Sequence, residues 1–345
     1  MSLKMIPIRR LYSILIPILL FFQPALAQYN FGALDEYFHG NQKALGGKFT
    51  ALVYKDGKLI YQKTMGEFNA KTQVPIATAG NWLTAALVMI FVDQGKLSLD
   101  DPVSKYIPSF EKYMKNYVTI RHCLTNTTGI ENETSKVGRL LSRKKFTSLE
   151  EEVNAMAAKE ISANPGEEFL YGNIGLTIAG RVLEVISKKS FDRLIQERLL
   201  RPLKMRATNF VNEDGGSIDP AAGAKASAND YINFLSMLLN KGKFEGKQIL
   251  SEESVAEMEK PQFTSLPVKY APKETQGLKY GLGQWIQDED GQTTFTSPSL
   301  AGTWPFLDKC RNYACIILVA NLLKDDKKEI YRQAKNIIDE QIVCK

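Results

Sequence analysis

Segments with β-strand character lie at both ends of the chain and flank a mostly helical middle, and this order restricts the fold more than any other feature. Near the N-terminal end, residues 49–54 and 59–63 are β-rich runs joined by a connection that contains Asp56-Gly57. Asp-Gly between two such runs predicts a tight hairpin, because glycine tolerates the positive φ of the turn. Strand character returns late in the chain, in residues 280–287, 292–297, 303–307 and 314–320.

The segments between these strands follow helical periodicity. Residues 78–94 are apolar nearly all round, which is typical of a buried helix, and Gly95 supplies a natural C-terminal stop. The clearest helices of the middle are predicted at 173–187 and 230–240, and a closing amphipathic helix at 328–343.

This order of elements predicts an α+β fold with one antiparallel sheet, built from both ends of the chain and flanked by helices. A mainly helical lobe is inserted into it. We expect a single domain over residues 28–345, with a sheet lobe at about 28–75 and 270–345 and a helical lobe at about 76–269. A ligand-binding cleft would lie between the two lobes.

The first 27 residues have the pattern of a signal peptide. Lys4, Arg9 and Arg10 precede the apolar run 11–22, and Pro24-Ala25-Leu26-Ala27 offers small residues for cleavage before Gln28. The alternative is a membrane anchor, but the run is about 12 residues long and a spanning helix needs about 20. We therefore expect an exported protein, periplasmic or secreted, without a stable membrane anchor after cleavage.

Composition argues against several classes of function. The formal net charge is +6, and three of the positive charges lie within the predicted signal peptide. No basic cluster is interleaved with aromatic residues, so a nucleic-acid partner is not expected. The chain has only 2 histidines and no G-x-G-x-x-G or Walker-type loop. We therefore expect neither a metal site nor a cofactor, and a structural role for His122.

The chain contains 4 cysteines: Cys123, Cys310, Cys315 and Cys344. Disulfides persist in exported proteins. Cys310 and Cys315 bracket a predicted hairpin turn, which could bring their sulfur atoms together. The alternative is four unpaired, buried thiols, and the sequence does not select among the pairings.

Four segments, in order along the chain, carry a resemblance to a known family. They are 95–103 (GKLSLDDPV), 119–129 (TIRHCLTNTTG), 202–205 (PLKM) and 280–283 (YGLG). They closely resemble segments of the β-lactamase-related serine hydrolases, which include class C β-lactamases, D-alanyl-D-alanine carboxypeptidases and esterases. The resemblance implies the β-lactamase/transpeptidase-like, penicillin-recognising fold over most of residues 28–345.

This family works through three motifs: S-x-x-K, Y-x-N, and K-T-G or H-T-G. The serine attacks from a helix N-terminus, the lysine one turn later helps to remove its proton, and the tyrosine relays protons. Alignment through residues 95–103 places Thr78 at the serine position and Asn81 at the lysine position. Tyr171 and Asn173 keep the second motif, and residues 297–299 replace the third.

The resemblance implies that Ser297, Pro298 and Ser299 line the ligand site, with Trp304 beside it either as a ligand platform or as ordinary core. Because an amide such as Asn81 is no base, we expect a catalytically impaired or inactive protein that binds a small molecule, a peptidoglycan-like peptide or another protein in the cleft. One alternative is a slow hydrolase that uses Thr78 with Tyr171. Another uses Ser297 or Ser299 as the nucleophile. If these residues have only structural roles, Thr78 is a helix N-cap, and Tyr171 and Asn173 form a hydrogen-bonded helix entry.

Overall fold

The computed structural model describes residues 29–131, 146–212, 215–289, 291–299, 302–320 and 327–344. The strands are β1 (Phe49–Lys55), β2 (Lys58–Met65), β3 (Val74–Pro75), β4 (Phe169–Leu170), β5 (Asn209–Phe210), β6 (Ala224–Ala226), β7 (Lys243–Phe244), β8 (Lys247–Gln248), β9 (Val268–Tyr270), β10 (Lys279–Tyr280), β11 (Trp285–Glu289), β12 (Gln292–Thr296), β13 (Trp304–Asp308) and β14 (Tyr313–Val319). The α-helices are α1 (Gly32–Gly40), α2 (Gly80–Asp93), α3 (Ser109–Lys112), α4 (Ile120–Leu124), α5 (Leu149–Ala157), α6 (Ile174–Ser187), α7 (Phe191–Ile195), α8 (Ala228–Leu239), α9 (Glu252–Glu259) and α10 (Lys328–Gln341).

A seven-stranded antiparallel sheet joins early and late parts of the chain, which confirms the predicted α+β fold. Its strand order is β10-β11-β12-β13-β14-β1-β2, so that β14 pairs with β1 along its whole length. The hairpin between β1 and β2 turns at Asp56 and Gly57, both with positive φ (47° and 85°). Because such a turn requires positive φ, the Asp-Gly dipeptide correctly predicted the hairpin.

The two faces of the sheet bury different sets of side chains. Along β14, Cys315 and Ile317 point to one face, and Ile316 and Leu318 point to the other, as the two-residue period of a strand requires. We call the first face the rear face, which packs against α1 and α10. The second, the front face, packs against α8 and the core formed with α2 and α6.

Helix α2 lies inside the front core, as its uniformly apolar sequence predicts. From Gly80 to Phe91 all of its residues are buried. Gly283 has a φ of 73° and packs against Ala85 and the carbonyl of Asn81, where a β-carbon would collide. Replacement of Gly283 by a larger residue would therefore displace the helix that carries the first family motif.

The structure corrects the expectation for the cysteines. Cys310 pairs with Cys344, which follows α10, and not with Cys315. The predicted hairpin turn does form between β13 and β14, but Cys315 lies within β14 and faces Phe306 across the ladder. Cys123 and Cys315 are buried free thiols, and burial raises the pKa of both.

Some expectations fall outside what the structure describes. The predicted signal peptide, residues 1–27, lies outside the described residues. Among the helices that are described, none is both long and apolar enough to cross a bilayer. The division into two lobes at about residues 75 and 270 stays a prediction, although the helices α2 to α9 do follow β2 and precede β10.

Candidate functional site

Thr78 lies in a single 3₁₀ turn, Ala77–Ala79, that leads into α2. Ala77 has a φ of 45°, a left-handed conformation that is strained for a residue with a β-carbon. The hydroxyl of Thr78 donates to the carbonyl oxygen of Pro298 over a long 3.4 Å. It does not cap the helix, since neither helical element has a side-chain cap, so the N-cap interpretation is wrong.

Asn81 occupies the base position at the start of α2 and is completely buried. Its side-chain nitrogen donates to the hydroxyl of Tyr171 over 3.2 Å. Its side-chain oxygen is buried and has no hydrogen-bond partner. The residue therefore links the first two family motifs, but at the cost of an unsatisfied acceptor.

Tyr171 follows β4 and is enclosed by aromatic rings. Its ring lies 6.0 Å from that of Tyr280 and 5.1 Å from that of Trp285, centroid to centroid. Burial raises the pKa of Tyr171, and the nearby polar atoms of Thr78, Trp285 and Asn81 act in the opposite direction. With the net shift upward, the phenol stays protonated at neutral pH.

Asn126 is a site residue that the sequence prediction missed. Its amide nitrogen donates to the hydroxyl of Tyr280 over 3.0 Å, and its amide oxygen accepts from the backbone N–H of Gly172 over 3.2 Å. Asn126 thus holds the loop that carries Tyr171. Its place within the quoted segment 119–129 was a usable signal.

The side chain of Asn173 is held by Asp219. Its side-chain nitrogen donates to Asp219 Oδ2 over 3.0 Å, whereas Asp219 Oδ1 accepts the backbone N–H groups of Ala221 and Ala222. Burial raises the pKa of Asp219, against the effect of these hydrogen bonds. No motif marked Asp219 in the sequence. Asn173 directly precedes α6, but its side chain does not cap that helix. The predicted capping role at the helix entry is therefore not found.

The third motif lies against the first. Ser297 follows β12, is 1% exposed, and donates its hydroxyl to the carbonyl oxygen of Thr78 over 3.3 Å. The backbone N–H of Ser299 donates to the carbonyl of Thr303, which turns the chain back into β13. The structure therefore brings Thr78, Asn81, Tyr171 and Ser297 together, and we call this group of residues and its surroundings the cleft.

Trp304 and His122, two other residues considered in the sequence analysis, lie outside the cleft. Trp304 is on the rear face, where its ring stacks on Tyr331 at 4.5 Å and packs against the rear core. The expected position beside the cleft is wrong, and the alternative that placed Trp304 in ordinary core agrees with this packing. His122 forms a capping box with Thr119 at the start of α4, in the structural role that was predicted. Its Nδ1 accepts the backbone N–H of Thr119 over 3.2 Å.

The side chains gathered at the cleft are polar but uncharged. Thr78, Asn81, Tyr171, Ser297 and Ser299 include no cation or anion at neutral pH. Within the described ranges, no three His, Cys, Asp or Glu side chains are grouped so that they could hold a metal ion. The expectation that no cofactor takes part stays a prediction.

This arrangement can be compared with known proteins. The sequence model of the family named Beta-lactamase matches residues 36–336. The chain belongs to the β-lactamase family. That membership confirms the resemblance inferred from the four quoted segments.

Curated relatives of this β-lactamase-family chain match only in part. Protein flp of Staphylococcus aureus strain MW2 is 26% identical over 196 residues, which is 54% of this chain and 39% of that protein. The D-alanyl-D-alanine-carboxypeptidase/endopeptidase AmpH of Escherichia coli K12 is 27% identical over 190 residues, which is 51% of this chain and 48% of that enzyme. The matches thus span less than half the length of these relatives.

Solved structures agree with the fold over most of the chain. A candidate β-lactamase from Bacteroides dorei DSM 17855 superposes with a TM-score of 0.80 and 28% identity, covering 91% of this chain and 99% of that one. The octameric penicillin-binding protein homologue from Pyrococcus abyssi gives a TM-score of 0.73 at 20% identity, over 91% and 79% of the two chains. The second likeness concerns the fold alone.

Proposed function

We propose that this β-lactamase-family protein is hydrolytically impaired and acts by binding an uncharged ligand in the cleft, either a small molecule or a peptidoglycan-like peptide. The observation that carries the proposal is Asn81. It fills the position of the family's lysine, is fully buried, and contacts the hydroxyl of Tyr171.

Among the described side chains grouped at the cleft, none could take a proton from Thr78 at neutral pH. An amide such as that of Asn81 has no basic lone pair. The phenol of Tyr171 has a raised pKa and remains neutral. General-base catalysis contributes roughly 10²–10⁴-fold to a rate. The hydroxyl of Thr78 keeps its proton and directs it to the carbonyl of Pro298.

The same lack of charge defines the ligand. A carboxylate bound beside Thr78, Asn81 and Ser299 would lose its hydration without gaining a cationic partner, which is costly. A neutral amide can exchange hydrogen bonds with hydroxyl and amide groups. Since the relative AmpH is described as a D-alanyl-D-alanine peptidase, D-alanyl peptides are a reasonable starting series, with the C-terminal amide favoured over the free acid.

Reactivity is tested by intact mass after exposure of folded protein to a fluorophosphonate probe. We expect no adduct on the wild-type chain or on Thr78→Ala. The double variant Thr78→Ser/Asn81→Lys restores a nucleophile and a base one helical turn apart, and we expect it to form an adduct at least tenfold faster than Thr78→Ser alone. An adduct on the wild type that disappears in Thr78→Ala would overturn the impairment.

Ligand preference is tested by calorimetric titration with N-acetyl-D-alanyl-D-alanine and with its C-terminal amide. We expect the amide to bind at least tenfold more tightly than the acid, and Asn81→Ala to weaken the binding of the amide. Tighter binding of the acid would contradict an uncharged ligand. Equal binding by the wild type and Asn81→Ala would show that Asn81 does not contribute to ligand binding.

A slow hydrolase using Thr78 with Tyr171 is the second candidate function. It is favoured by the closeness of the Thr78 side chain to the phenol of Tyr171. The adduct experiment separates it from the binding function. Ser297 is a weaker nucleophile candidate, because its hydroxyl is buried and donates to the carbonyl of Thr78.

We also propose export, with removal of residues 1–27 and a mature N-terminus at Gln28. The Cys310–Cys344 disulfide supports this, since disulfides persist in oxidising compartments. The mass of protein recovered from the periplasm or medium of an expression host tests it. Recovery of the full-length chain from the cytosol alone would contradict export.

A further inference from the structure

A cavity lies on the rear face, between α10 and strands β11 to β13. Its volume is about 390 Å³, within the usual range for small-molecule pockets. The residues that line it include Trp304, Tyr331, Gln287 and Asn336. It is separated from the cleft by the sheet itself, because Trp304 belongs to the rear core and Asn81 to the buried helix on the front side.

An aromatic platform forms one wall of this cavity. Tyr331 is 2% exposed and stacks on Trp304, with 22° between the ring planes. The hydroxyl of Tyr331 donates to the carbonyl of Gly302 over 2.7 Å, which fixes the position of the Tyr331 ring. Trp304, which stacks on this ring, remains partly exposed. A fixed indole with an accessible surface suits a ligand that presents a C–H face, because the ring face carries partial negative charge.

The charged side chains at the base of the cavity are already paired. Lys335 Nζ lies 3.0 Å from Asp308 Oδ2 and 2.6 Å from Asp339 Oδ2. Arg311 Nη1 lies 3.2 Å from Asp308 Oδ2, and Arg311 Nε lies 3.5 Å from Asp339 Oδ1. We call these four residues the rear charge network. Its formal charge is zero, so it offers little attraction to an anion.

Three more charged side chains, Lys328, Arg332 and Glu340, line the cavity, and Arg332 is paired with Glu329 at 2.9 Å. Neutral amides also contribute to the lining. The amide of Gln292 accepts from Arg311 Nη1 over 2.7 Å and retains its own N–H donors. Gln287 and Asn336 place further amides at the wall. Amides that can both donate and accept suit hydroxyl and acetamido groups.

We propose that the rear cavity is a binding site for a neutral saccharide of one or two rings. The sugar ring packs on Trp304, and its hydroxyl or acetamido groups exchange hydrogen bonds with Gln287, Gln292 and Asn336. The site is independent of the cleft and of any hydrolysis there.

The test is calorimetric titration of the mature protein with N,N′-diacetylchitobiose and cellobiose, with sodium phosphate as an anionic probe. We expect saturable binding of at least one disaccharide and none of phosphate. Trp304→Leu should weaken binding at least tenfold. Asn336→Ala, an exposed change on α10 that does not threaten folding, should weaken it severalfold.

Gln333→Ala is the matched control, since Gln333 lies on the same helix but does not line the cavity. It should bind like the wild type, and so should Thr78→Ala in the cleft. No disaccharide binding, saturable phosphate binding, or disaccharide binding that survives both Trp304→Leu and Asn336→Ala would each overturn the proposal. None of these outcomes depends on the cleft.

Discussion

The cleft and the rear charge network lie on opposite sides of one sheet and differ in charge: the described cleft side chains are neutral, whereas those of the rear network are charged and paired. In the cleft, Asn81 is buried with an acceptor that has no partner, and no charged side chain is present among Thr78, Asn81, Tyr171 and Ser297. In the rear network, the fully buried Asp308 meets two cations and the backbone N–H of Arg311.

This difference indicates which region stabilises the fold and which is free to change. A buried charge must be compensated, so removal of one member of a paired set is expensive. Loss of a buried neutral amide costs about 1–3 kcal/mol for the partner left without its hydrogen bond, and this cost is offset when the amide itself carries an unsatisfied atom. The cleft can therefore vary in chemistry while the rear network holds α10 to the sheet.

The largest effect is expected from Asp308→Asn, which breaks the rear network. Arg311 and Lys335 would then share Asp339 alone, and we expect a loss of about 3–5 kcal/mol in the free energy of unfolding. Urea denaturation measures it. Asp288→Asn is the matched control, since Asp288 pairs with Lys279 on the surface and should cost less than about 1 kcal/mol. Equal losses in the two variants would remove the contrast between buried and exposed pairs.

Local sequence signals predicted those parts of the fold that depend on neighbouring residues. The Asp56-Gly57 turn and the buried helix α2 were of this kind, because turn conformation and apolar spacing are local properties. The convergence of Thr78, Asn81 and Tyr171 needed the family motifs, since Asn81 and Tyr171 are 90 residues apart.

Other features required the three-dimensional arrangement. The side chain of Trp304 lies on the rear face because of its register opposite Ile317, and a shift by one residue would reverse its face. The bond between Asp308 and Lys335 joins residues 27 apart in β13 and α10. Cys344 reaches Cys310 for the same reason, since α10 returns along the sheet. No local pattern encodes these pairings.

An intermediate effect is expected from alkaline pH, through Tyr171. Burial raises its folded-state pKa above the value of about 10 for an exposed tyrosine, so the folded state holds its proton longer than the unfolded state does. The resulting stabilisation is fully present below pH ~10 and is lost at about 1.4 kcal/mol per pH unit as the pH rises from there to the folded-state pKa. Urea denaturation between pH 9 and 11 should show a shallower decline for Tyr171→Phe. Parallel declines would mean that the phenol ionises freely in the folded protein.

The smallest effect on stability is expected from Asn81→Leu, and it separates the two regions most clearly. The change leaves the buried hydroxyl of Tyr171 without its donor, at a cost of about 1–3 kcal/mol, but it also removes a buried acceptor without a partner, which itself costs about 1–3 kcal/mol. The two contributions oppose each other, so the free energy of unfolding should change by less than about 1 kcal/mol in urea denaturation. If Asn81 contributes to ligand binding, the variant should nevertheless lose its binding of N-acetyl-D-alanyl-D-alanine amide. A large loss of stability with binding retained in the folded fraction would instead make Asn81 a structural residue, and the contrast with Asp308 would fail.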